Sequence, residues 1–106
     1  MNYRHAFHAG NFADLVKHAS VLALLDALQA DARPLRVVDT HASAGRYDLT
    51  DEKQARSGEA EAGIKRLTSG DVPEPLAALA AAVAAKNPKG GVRTYPGSPE
   101  LIADRL

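Results

Sequence analysis

The chain of 106 residues is 45 % hydrophobic and 25 % charged, the usage of an ordinary globular domain or of part of one. It has no cysteine, and thirteen basic residues balance thirteen acidic ones, which excludes disulfides, thiolate metal sites and a cysteine nucleophile and leaves no overall attraction to nucleic acid or anionic lipid. No apolar run approaches the roughly 20 residues of a membrane span, and the polar N-terminus lacks the basic-then-apolar order of a signal peptide, so a soluble, cytoplasmic protein without membrane contact is expected.

The opening stretch "NYRHAFHAGNFADLVKH" holds three of the four histidines. Residues 1 to 20 are also locally basic, with Arg4, Lys17, His5, His8 and His18 against the single acid Asp14. Before Asn11 only Phe7 is a strong apolar anchor, so the tail is expected to order only over a bound substrate. From Asn11 the pattern turns helical: Asn11 caps, Asp14 closes the box, and Phe12, Leu15, Val16, Ala19 and Leu22 follow at helical spacing. This helix is predicted to run to about Ala30. Its first half keeps Asp14, Lys17 and His18 on one side. Val21, Leu24, Leu25 and Leu28 widen the apolar surface of the second half, so the helix is covered on more than one face.

After Pro34, the β-branched "LRVVD", residues 35 to 39, reads as a strand. "THASAGRY" then forms a tight, small-residue turn of the kind found at the ligand-binding edge of an α/β sheet. The next clear helix start is "GSPEL", with Ser98 as cap, Pro99 at the first helical position and Glu100 at the positive end of the dipole. About fifty residues separate strand and helix, far more than a loop needs, and they must form an insertion. Two helical segments fill it: roughly Asp51 to Leu67, interrupted by Gly58 and Gly63, and the alanine-rich "PEPLAALAAAVAAKN", stopped by "NPKGG". A lone strand cannot satisfy its own backbone groups. The chain is therefore expected to be the front of a larger domain.

Two constellations bear on chemistry. His5, His8, His18 and His41 offer enough imidazoles for zinc, but without an H-E-x-x-H or a cysteine their spacing does not make a metal site. "DTHASAG", residues 39 to 45, is more informative: Asp39 at a strand end followed by small residues fits a nucleotide-type ligand approaching the backbone. Only Gly45 occupies a glycine position of a D-x-G-x-G-x-G loop, with His41 and Ser43 at the others.

"YRHAFHAGNFADLVKH", "DTHASAGRY" and "YPGSP", in this order and at these spacings, closely resemble the start of the RlmJ family of bacterial large-subunit rRNA adenine-N6 methyltransferases. The resemblance implies a Rossmann-like, class I S-adenosyl-L-methionine-dependent methyltransferase of α/β class with a small helical insertion, of which this chain is the N-terminal part. On that reading residues 1-47 supply the first helix, first strand and cofactor loop, 48-93 the helical insertion, and 94-106 the start of the next core helix. It implies that Tyr3 and His5 lie near the RNA substrate, that Lys17 and His18 face the cofactor, and that His41 and Ser98 contact it, with Asp39 and Gly45 completing the cofactor loop. The partner implied is 23S rRNA, protein-free or early in assembly.

Two departures stand out. Ser43 replaces the family's usual glycine, and the D/N-P-P-Y/F motif that orients the adenine amine is absent: the six prolines include no adjacent pair. No catalytic residue is therefore assigned within these 106 residues. The alternative reading is a non-catalytic nucleic-acid-binding or DNA-uptake-associated protein.

Overall fold

The computed structural model describes residues 8–42, 44–50, 58–68 and 70–106. Its longest element, α1 (Phe12–Gln29), starts where the capping residues place it. The Asn11 side chain accepts from the Asp14 amide at 2.9 Å, and the Asp14 carboxylate reaches one residue past the cap to accept from the Gly10 amide at 3.0 Å. Asp14 is thereby buried at little cost, because its oxygen is satisfied by an N–H.

The buried face of α1 differs from the expected one. It runs through Asp14, Leu15, His18, Leu22 and Leu25, whereas Phe12 and Val16 are 73 % and 51 % exposed. The helix is apolar over much of its circumference, so spacing alone selects no face; the elements packed against it do.

The expected strand at residues 35–39 is corrected by the structure, which leaves that segment unpaired and Val38 76 % exposed. The physical reason is the absence of a neighbouring strand among the described residues, without which no ladder forms. The described sheet lies elsewhere. Strand β1 (Arg46–Asp48) pairs antiparallel with β2 (Thr94–Pro96) in the register Arg46↔Pro96, Tyr47↔Tyr95 and Asp48↔Thr94. The opposed Tyr47 and Tyr95 are both buried, as cross-strand aromatic pairs favour. The pairing continues past both ends, from the Leu49 amide to the Arg93 carbonyl and from the Gly97 amide to the Gly45 carbonyl, each at 2.8 Å.

Between the strands come α2 (Glu59–Ala62), α3 (Ile64–Thr68), a 3₁₀ turn (Glu74–Leu76) and α4 (Ala77–Ala85). Of the helix expected over 51 to 67, residues 51–57 lie outside the described residues, and the remainder is two short helices broken at Gly63. Gly63 sits against the turn before α1, where an added Cβ would lie 2.0 Å from the Gly10 carbonyl oxygen. The Ile64 amide donates to that same oxygen at 2.8 Å, and His8 pairs with Glu59. The insertion is thus fastened to the start of α1, and Leu79 and Val83 of α4 are buried in the common core.

The last helix, α5 (Ser98–Arg105), packs along α1. Its cap is Gly97, with Ser98 and Pro99 as the first two helical residues, one residue earlier than the sequence suggests. Gly97 is obligatory for a different reason: an added Cβ would stand 2.1 Å from the Ala44 carbonyl oxygen. The far end of α5 is tied to α1 by Arg105 to Asp26 at 3.1 Å and by the Gln29 side-chain amide donating to the Arg105 carbonyl at 3.1 Å. Among the described residues no helix is long and apolar enough to cross a membrane.

Candidate functional site

A groove of about 460 Å³ runs between α1, the extended segment 35–39 and the start of α5. Its walls are apolar, with Val21, Leu24 and Leu28 from the helix, Leu35 and Val37 from the segment, and Ile102 from α5. Beside Arg36 of segment 35–39, its polar groups are Lys17, Asp39, His41 and Ser98. These four come from three separate stretches of chain, and the fold brings them together.

Ser98 is free to act here because it does not cap its own helix. Its hydroxyl donates to Asp39 Oδ2 at 2.7 Å, and the His41 amide donates to Asp39 Oδ1 at 3.2 Å. The Ser98 hydroxyl is the main cause that holds the Asp39 carboxyl below the ordinary aspartate range; burial opposes it as the next largest effect, and the His41 amide and the Lys17 charge add to the lowering. Asp39 is therefore an anion at neutral pH, with lone pairs left for a ligand. The His41 ring is exposed, and its Nδ1 lies 2.8 Å from the Thr40 hydroxyl.

Lys17 and His18 are consecutive, and the helix sends them in different directions. Lys17 is 55 % exposed at the groove. His18 is buried on the core side, where its Nδ1 lies 2.6 Å from the Tyr95 hydroxyl and its ring stacks on the phenol at 5.5 Å and 29°. Burial, with a smaller effect of the Asp14 charge, raises the Tyr95 hydroxyl well above the ordinary tyrosine range, so it keeps its proton.

Gly45 is exposed and does not line the groove; its carbonyl accepts from Gly97, and an added Cβ there would meet nothing within 4 Å. Tyr3, His5 and Ser43 lie outside the described residues. Sequence reasoning missed Tyr95 and Gly97. Both lie within the "YPGSP" motif, but a buried ring and a close approach of two backbones have no local signature.

The polar set is amphoteric: two cations, an anion, a hydroxyl and an imidazole beside apolar walls. It suits a ligand that carries both charges on a partly apolar body.

The family model described as "Ribosomal RNA large subunit methyltransferase D, RlmJ" matches residues 32–106. Over the whole chain the sequence is 44 % identical to ribosomal RNA large subunit methyltransferase J of Escherichia coli and 36 % identical to that of Haemophilus influenzae. The chain spans 38 % of the length of each of these relatives. A crystal structure of a Legionella pneumophila protein superposes with a TM-score of 0.82 at 32 % identity, covering 93 % of this chain and 36 % of that one.

Proposed function

The chain belongs to the RlmJ family of ribosomal RNA large subunit methyltransferases, and from that premise we propose that it forms the cofactor-side part of a Rossmann-like enzyme. The reaction is S-adenosyl-L-methionine-dependent N6-methylation of an adenine in 23S rRNA. The names of the relatives favour this over a non-catalytic nucleic-acid-binding role. The observation that carries the proposal is the convergence of Lys17, Asp39, His41 and Ser98 on one groove, with Asp39 and Ser98 bonded across 59 positions of sequence.

These residues fit the cofactor's chemistry. Lys17 would pair with the carboxylate of its amino-acid part and Asp39 with the ammonium, while Ser98 and His41 offer hydrogen bonds to its neutral polar groups. When bound, the cofactor supplies an electrophilic methyl group on a sulfonium. The contribution of this chain is to hold and orient, which is where such transfers gain most of their rate. The resemblance names His18 and Gly45 on the cofactor side and Tyr3 and His5 on the RNA side; because His18 is buried against Tyr95 and Gly45 does not line the groove, the cofactor contacts proposed are those of Lys17, Asp39, His41 and Ser98.

The test is calorimetric titration of S-adenosyl-L-methionine into the full-length protein and its variants. His41→Ala and Ser98→Ala are each expected to weaken binding about two- to tenfold, since a hydrogen bond between neutral groups contributes about 0.5 to 1.5 kcal/mol. Wild-type affinity in both variants would reject the site.

A further inference from the structure

The equality of thirteen cations and thirteen anions conceals a local imbalance. From Pro75 to Pro99 the sequence holds no acidic residue, while Lys86, Lys89 and Arg93 crowd the turn between α4 and β2. Lys86 is neutralised within the fold by Glu100 at 3.0 Å and Asp104 at 2.7 Å. Lys89 and Arg93 are exposed and make no ion pair among the described residues. Together with Lys86 they line a hollow of about 270 Å³.

The turn is held rigidly. At its start Asn87 is buried, and its Nδ2 donates to the Val83 carbonyl at 2.8 Å and the Thr94 carbonyl at 3.0 Å. Its Oδ1 accepts from the Arg93 amide at 2.9 Å and the Thr94 amide at 3.0 Å. The side chain thus joins the end of α4 to the start of β2. Gly90 and Gly91 complete the turn at φ 84° and 68°, a left-handed backbone that glycine adopts without strain, and nothing lies within 4 Å of a Cβ added at either.

We propose that this turn docks the sugar-phosphate backbone of the RNA substrate, with Lys89 and Arg93 each neutralising a phosphate. The proposal rests on the methyltransferase reading above and names a contact of that same substrate. Three observations direct it to phosphate and not to bases. Both side chains are donors only, which suits an anion with several acceptor oxygens. The neighbouring aromatic, Tyr95, is buried and presents no ring for stacking. The hollow carries no carboxylate to read the donor groups of a base edge. A turn already ordered by Asn87 presents its two charges without the entropic cost of organising a loop on binding. The contact is sequence-independent: it positions the RNA and leaves the choice of adenine to the groups around the groove.

The experiment measures binding of the full-length protein to unmodified 23S rRNA transcript over a series of salt concentrations. Lys89→Gln/Arg93→Gln is expected to reduce the slope of log K against log salt by roughly 1.4 to 1.8, about 0.7 to 0.9 for each phosphate that is no longer neutralised, and to weaken binding roughly 30-fold near 0.1 M salt. Melting temperature and S-adenosyl-L-methionine affinity should stay at their wild-type values. The charge-preserving Lys89→Arg/Arg93→Lys should keep most of the slope. Wild-type protein that binds the transcript with the same slope as the double Gln variant would overturn the docking inference alone, as would an affinity loss of equal size at every salt concentration. Wild-type protein that does not bind the transcript at all would overturn the methyltransferase reading and this inference with it.

Discussion

His18 of α1 and Tyr95 of β2 lie 77 positions apart in sequence, yet His18 Nδ1 and the Tyr95 hydroxyl meet at 2.6 Å in the buried core. This contact joins the helix that carries Lys17 to the strand that leads into Ser98. It therefore couples two sides of the groove through a single hydrogen bond. The buried hydroxyl keeps its proton and donates to Nδ1 whenever that nitrogen is bare.

Tyr95→Phe should keep the ring stacking and lose the bond. A stability loss of about 1 to 2 kcal/mol is expected, the usual cost of leaving one buried polar group unpaired, whereas Tyr95→Ala should cost about 3 to 5 kcal/mol through the cavity it opens. Denaturant unfolding of the full-length variants checks both values. Equal stability of Tyr95→Phe and wild type would show that only the packing of the ring matters.

The two glycines joined by the bond from the Gly97 amide to the Gly45 carbonyl should respond differently to a methyl group. Gly97→Ala forces a methyl to within 2.1 Å of the Ala44 carbonyl oxygen and 3.2 Å of the Tyr47 ring, and should destabilise by about 1 to 3 kcal/mol or more. Gly45→Ala meets no atom within 4 Å, so its melting temperature should stay close to that of wild type. If Gly45 approaches the cofactor, that variant should lose cofactor affinity alone, and calorimetry beside thermal unfolding separates the two effects.

Asn87→Ala removes the acceptor of two backbone amides and the donor to two carbonyls at one point. A cost of about 2 kcal/mol or more is expected. Asn87→Asp should also destabilise, because a carboxylate accepts from the two amides but repels the two carbonyls it faces. Hydrogen exchange would show weakened protection at the Arg93 and Thr94 amides in both variants, and full protection there would contradict the bridging role.

Glu100 accepts from Arg46 at 2.6 Å and pairs with Lys86 at 3.0 Å. The Arg46 hydrogen bond is the main cause that holds its carboxyl below the ordinary glutamate value near 4.5; burial opposes it as the next largest effect, and Lys86 adds to the lowering. A lowered folded-state pKa contributes stability that is present above the unfolded value and is lost as pH falls through the folded one. Wild type should therefore be modestly more stable than Glu100→Gln at neutral pH, and the difference should shrink as pH drops below about 4.5. A pH-independent difference between the two proteins would remove the charge from the explanation.

What the sequence by itself determined was local. Asn11 and Asp14 settle where α1 begins, Asn87 and the glycines after it settle where α4 stops, and Ser98 with Pro99 marks the start of α5 to within one residue. Each of these rests on contacts within a few positions of chain, which a sequence displays directly. The motifs around Asp39, His41 and Ser98 were legible as well, through their resemblance to a family. Which face of α1 is buried, why residues 35–39 remain unpaired and where the paired strands lie were decided only in three dimensions. An apolar helix has several faces that can be covered, and a strand exists only when another lies beside it. The separation of Lys17 from His18, the bond from Ser98 to Asp39 and the close approach at Gly97 belong to the same class. Each depends on what a distant segment brings to within a few ångströms, and that is set by packing.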